Sequence, residues 1–164
     1  MANEPKRSRS KPTSKTKPPT PDRWYKDGLR FECTQCGDCC TGAPGYVWVT
    51  HRESDAIARF LQMSRDTFRK RYVRKVGRRY SLIERANGAC VFFHDGCTVY
   101  PARPKQCRTY PFWPENLSSR SAWEELESEC PGARPGKGRV YPLEEIELIR
   151  RGGSEASLRD KWDE

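Results

Sequence analysis

A small α+β domain, with short helices and a small antiparallel meander organised around a cysteine metal cluster, is the fold class the sequence predicts. Three observations predict it. The chain has 164 residues, room for one domain of ordinary size. Its hydrophobic share is 35% against 32% charged, a thin core for a chain that must offset roughly 1–2 kcal/mol of backbone entropy per ordered residue. Eight cysteines are present, and in small domains cross-links through metal or sulfur replace missing burial. A plain helical bundle or sandwich is thereby excluded.

Residues 1–21 carry Lys6, Arg7, Arg9, Lys11, Lys15 and Lys17 against Glu4, with prolines and no aromatic residue. That composition cannot bury a core and predicts a disordered basic tail, dispensable for metal binding. The tail holds much of the net charge of +9, so any nucleic-acid contact through it is expected to be weak, salt-sensitive and non-specific. Residues 22–152 form the expected cysteine-cluster domain, and 153–164 a polar C-terminal tail. Neither a signal-like apolar stretch nor a membrane-length apolar run occurs, which predicts a cytoplasmic protein with no membrane contact. In a reducing compartment clustered thiols bind metal or iron–sulfur rather than form disulfides.

The domain begins near Trp24, with Tyr25 and Phe31 as further packing residues. Thr50 and Glu53 make a capping box, the start of a helix whose Ile57, Phe60 and Leu61 share a face. A second helix starts at Ser64, where Met63 and Phe68 occupy hydrophobic-staple positions and Tyr72 extends the face. Tyr80–Ile83, Cys90–Phe93 and Thr98–Tyr100, separated by Asn87-Gly88 and Asp95-Gly96, read as the three strands of the meander. Pro101, Pro104, Pro111 and Pro114 limit the next stretch to one short helical turn from Pro104 to Tyr110. The segment from Trp123 to Glu129 fits helix or strand. Pro142 at a first-turn position, followed by Glu144, Glu145, Ile146 and Ile149, gives a final amphipathic helix that Gly152-Gly153 stops.

Cys33, Cys36, Cys39 and Cys40 stand within eight residues. The first pair is a C-x-x-C turn that brings two sulfurs onto one ion, and Gly37 after it can turn left-handed and aim backbone N–H groups at a thiolate. Cys39 and Cys40 point to opposite sides of an extended backbone, so they serve different metals, or one is no ligand, unless a special turn unites them. Cys90, Cys97, Cys107 and Cys130 are scattered over the later chain, as when a metal pins distant segments together. Arg103 and Arg108 flank Cys107, where guanidinium groups lower thiol pKa values and donate to sulfur. Tyr100, Tyr110, Phe112 and Trp113 can exclude water. His51 and His94, the two imidazoles of the chain, read as surface residues, His94 the better ligand of the two.

The blocks Cys33-x-x-Cys36-x-x-Cys39-Cys40, Cys90-x6-Cys97-x5-Arg103-Pro104-x-x-Cys107-Arg108-x-Tyr110-Pro111 and Cys130-Pro131-Gly132 occur in one order from about Phe31 to Gly132. In this the chain resembles the YkgJ-like cysteine-cluster (CxxCxxCC) family of zinc- or iron-chelating proteins. The resemblance implies a metal or iron–sulfur site and no settled reaction; a similar cluster occurs in flagellin lysine methylases, which are far longer chains. Cys33, Cys36, Cys97 and Cys107 lie in the two most specific blocks and are expected among the ligands.

All-thiolate donors and the CxxCxxC spacing favour an iron–sulfur cluster, 4Fe–4S in type, with a redox or supporting role toward an unknown small molecule or protein. Cys40 directly after Cys39 departs from the bacterial ferredoxin run. The alternative is a zinc-stapled structural module, for nucleic acid or protein, in which the cysteines form one or two four-thiolate sites. No Walker loop, GxGxxG or GxSxG elbow is present, so the sequence names a metal site and no enzymatic reaction.

Overall fold

The computed structural model describes residues 22–41 and 45–152; the tails expected over 1–21 and 153–164 lie outside the described residues. Within them the chain runs β1 (Leu29–Phe31), β2 (Val47–Val49), α1 (His51–Phe60), α2 (Arg65–Tyr72), β3 (Val73–Val76), β4 (Arg79–Leu82), α3 (Lys105–Thr109), α4 (Arg120–Glu129), β5 (Arg139–Tyr141) and α5 (Leu143–Arg150). It is a small α+β arrangement with two antiparallel sheets. One pairs β1 with β5, Leu29 opposite Tyr141. The other has the order β2-β4-β3, with Val49 opposite Tyr80 and Lys75 opposite Tyr80 from the other side. No helix among the described residues is long and apolar enough to cross a membrane.

Local signals account for the helices. Thr50 accepts the Glu53 N–H at 3.2 Å while the Glu53 carboxylate accepts the Thr50 N–H at 2.8 Å, so the capping box forms as expected. Ile57 is wholly buried, but Phe60 points outward at 45% exposure, because the α1 stripe is narrower than its apolar positions suggest. Ser64 caps α2, and Phe68 is fully buried with Met63 packed against the same core. The segment around Trp123 is helical, capped by Ser119. Pro142 stands at the N-cap of α5, one position before the first turn.

The meander is where expectation and structure part. Only Tyr80–Leu82 of the expected strands pairs in a ladder, and its neighbours are β2 and β3. Cys90–Phe93 and Thr98–Tyr100 contribute isolated bridges, Glu84 with Cys90 and Phe93 with Cys97. The reason lies in where their backbone bonds go. The Cys90 N–H is taken by the Cys40 carbonyl at 2.7 Å, and the Tyr100 N–H turns back to the Cys97 carbonyl at 3.2 Å, opening a 3-10 turn around Pro101. Conversely, β3 follows α2 without a break and is joined to β4 through Gly77 at φ +57, a conformation glycine adopts without steric cost.

Two separate cores result. The first gathers Tyr25, Leu29, Phe31, Phe112, Trp123, Leu126, Ile146 and Ile149 around the β1–β5 pair, with Cys130 inside it and Cys33 packed against it. The second gathers Val49, Ile57, Phe68, Leu82, Phe92 and Val99 under the three-stranded sheet, with Cys90 and Cys97 packed against it. Four cysteines are thus shared between two cores, the first sign of what joins them.

A buried carboxylate anchors the first core. Glu147, 9% exposed, accepts the Tyr25 hydroxyl at 2.6 Å and the Arg150 guanidinium at 2.8 Å. Burial pushes its pKa up, but the hydrogen bonds from Arg150 and Tyr25 and the charges of Arg150 and Arg23 outweigh it and leave the carboxyl below its ordinary value. A depressed folded pKa adds stability above the unfolded value of about 4.3, stability that is lost as pH falls through the folded pKa. Urea unfolding followed against pH should show wild-type stability declining below about pH 4, while Glu147→Gln is weaker at neutral pH by about 1–3 kcal/mol and lacks that part of the decline. An unchanged pH profile in the variant would refute the role given to Glu147.

Candidate metal centre

All eight cysteines are free thiols. Six of them, Cys33, Cys39, Cys40, Cys90, Cys97 and Cys107, line one small cavity of about 40 Å³, closed by Leu82, Phe92, Phe93, Val99 and Tyr100. Cys33, Cys39 and Cys107 also line a larger cavity of about 520 Å³, where Cys36 and Cys130 join them. The segments that deliver these thiols differ: the loop after β1, the 3-10 turn Asp38–Cys40, the bridged loops around Cys90 and Cys97, and α3 for Cys107. Among the described residues no three Cys, His, Asp or Glu side chains form a closed ligand set. The thiols surround the cavity without meeting at a point.

Cys39 and Cys40 do not diverge as an extended backbone would require. The 3-10 turn swings both onto the same cavity, and their sulfurs share a hydrogen bond at 3.8 Å. That bond holds Cys39 down at about 7 against the upward push of burial, with the Arg103 charge assisting. Cys40 is raised, first by the same bond, then by burial and by facing Cys39, Cys90 and Cys107. Burial pushes Cys107 up to about 12, and Cys90, Cys39 and Cys97 push with it. Cys90 and Cys97 are raised by burial and by each other's neighbours among these thiols. Cys39, Cys40, Cys90, Cys97 and Cys107 therefore crowd one cavity, with Cys33 on its wall beside them. Cys36 lies outside it, exposed and bonded to Asp38 at 3.0 Å.

The tyrosines stand beside thiols: burial and then Cys33 raise the Tyr100 pKa, and burial and then Cys130 raise that of Tyr110. Arg103 is the guanidinium whose charge reaches Cys39, Cys97 and Cys107. Arg108 borders only the larger cavity. The His51 ring lies tilted 4.8 Å from that of Tyr80 and the His94 side chain is 74% exposed, and neither borders a cavity with the cysteines. Phe92 and Phe93, which the sequence signalled only as strand residues, form the apolar lid. The donor chemistry fits a soft thiophilic metal, since sulfur surrounds the small cavity and no imidazole reaches it.

Gly37 holds this arrangement open. It sits at φ +91, the left-handed turn its place after Cys36 suggests, and a Cβ there would overlap the Phe93 ring. Gly37→Ala is expected to displace Phe93 or the cysteine turn, lowering both metal content per chain and melting temperature. Full metal content with unchanged melting would show that the close approach does not matter.

A family model described as "Putative zinc- or iron-chelating domain", named CxxCxxCC, matches residues 32–131. An uncharacterized protein of Methanocaldococcus jannaschii is 33% identical over 91 residues, covering 54% of this chain and 48% of its own length. The chain thus spans about half the length of that curated relative. No solved structure matches the chain. The matched span contains every one of the eight cysteines together with Arg103 and Arg108, and on that evidence the chain belongs to the CxxCxxCC family of zinc- or iron-chelating domains.

Proposed function

We propose that the protein is an iron–sulfur protein whose single cluster is held by Cys39, Cys90, Cys97 and Cys107. The observation that supports this is that all four thiols line the one small cavity, Cys90 and Cys97 from the second core. Eight cysteines sharing two zinc ions would divide into two groups of four, whereas six here surround one cavity and Cys36 and Cys130 stand aside. Cys33 and Cys40 are the cavity thiols left over, Cys40 sharing a hydrogen bond with the Cys39 ligand at 3.8 Å. The cluster would supply one-electron chemistry, at a potential set by burial and by hydrogen bonds to sulfur. The chain's part is to keep water out with Leu82, Phe92, Phe93 and Val99 and to place the Arg103 charge beside the thiolates.

A second reading, one zinc ion on the same quartet, has its own support in the small volume of about 40 Å³, the room for an ion. Anaerobic purification separates the two. The iron–sulfur reading expects iron with acid-labile sulfide and a visible chromophore, abolished in Cys39→Ser and retained in Cys40→Ser. Zinc as the sole metal, lost equally from both variants and never accompanied by a chromophore, would decide for the zinc staple.

A further inference from the structure

The larger cavity, about 520 Å³, has the dimensions of a small-molecule site. Thiols and cations both line it. Arg103, Lys105 and Arg108 border it, and none of the three forms an ion pair with a carboxylate among the described residues. Arg139 also borders it, but its charge is taken by Glu145. Glu32 is the one carboxylate residue on the wall, and it is exposed.

The three cations are held by backbone carbonyls, which fix them without neutralising them. Arg103 Nε donates to the Tyr100 carbonyl at 3.0 Å, with the guanidinium 3.5 Å from the Tyr100 ring centre. Arg108 Nη1 donates to the Arg103 carbonyl at 2.7 Å. Lys105 Nζ reaches the Arg151 carbonyl at 3.4 Å. Service to the thiols explains Arg103, whose charge they feel. It does not explain Arg108. The charge of Arg108 reaches Glu53, whose carboxylate is already engaged by the backbone N–H groups of Thr50 and Lys105. Arg108 Nε is buried with no hydrogen-bond partner, the one such side-chain atom among the described residues. An unmade bond on a buried charged donor is costly to keep.

We infer that this cavity binds a small molecule bearing a carboxylate or phosphate group, received by Arg108 and Lys105 with Arg103 beside them. A guanidinium offers an oxyanion paired N–H donors, and a lysine ammonium adds a point charge. The Tyr100 and Tyr110 rings, also on the wall, flank the body of the ligand. Because Cys33, Cys39 and Cys107 line the same cavity, such a ligand lies beside the metal centre. The inference concerns the cationic wall and holds whichever metal the thiols carry.

Titration calorimetry on the full chain as purified tests it, with inorganic phosphate and succinate as separate probes and glycerol as the neutral control. At least one anion should bind saturably near one per chain, and which one does so separates a phosphate ligand from a carboxylate ligand. Arg108→Gln and Lys105→Gln should each weaken that binding tenfold or more, with metal content unchanged. Arg108→Lys, which keeps the charge and gives up the fork, should weaken it less and serves if Arg108→Gln does not fold. Anion binding by protein that carries no metal supports the inference and counts only against the cluster. Absence of saturable binding of either anion through the millimolar range, or binding that the substitutions at 105 and 108 leave intact, would overturn it.

Discussion

Crowding of thiols around one small cavity is the constraint on which the rest of this structure depends. Cys40, Cys90, Cys97 and Cys107 all resist ionisation because burial and neighbouring sulfur oppose the thiolate. A bound cation reverses that opposition, turning mutual repulsion into shared attraction and releasing protons as it binds. Neither core is large, and cysteines that line the small cavity are packed on both: Cys33 on the first, Cys90 and Cys97 on the second. Metal bound at this cavity would supply cohesion that the modest apolar content does not.

The surrounding elements hold the thiol segments in place. The Glu53 carboxylate closes the capping box of α1 and also accepts the Lys105 N–H at 2.7 Å, so the start of α1 fixes the start of α3 and with it Cys107. The Gln106 side chain ties α3 to the strand β2 through the Trp48 N–H and the Tyr46 carbonyl. The Cys40 carbonyl receives the Cys90 N–H, which couples the dense cysteine motif directly to the first of the scattered cysteines. Short elements suffice because each is pinned by a bond to something distant in sequence.

Much of this was legible in the residues. The capping box at Thr50 and Glu53, the Ser64 cap, the left-handed Gly37 and the order of the cysteine blocks are local patterns with local causes, and each has the form expected. The missed elements are those whose partners are remote. The β1–β5 pair joins residues more than one hundred positions apart, and three-residue strands carry almost no periodicity to read. The stretch from Cys90 to Tyr100 looked like strands because its Val, Phe and Tyr residues are strand-formers, yet its backbone is committed to the cysteine loops. The same remoteness hid the site's grouping: spacing alone treats Cys39 and Cys40 as divergent, and a 3-10 turn brings them together. Nothing in the sequence pattern distinguishes Arg103, which faces the thiols, from Arg108, which faces the larger cavity.

One centre ligated by sulfur alone is the claim at the heart of this account, and X-ray absorption at the metal edge of anaerobically purified protein tests it most directly. The account predicts iron with a first shell of sulfur only and an iron–iron distance in the second, as a thiolate-held cluster requires. A first shell containing nitrogen or oxygen, or a chain that retains no metal while its eight thiols stay free, would contradict it.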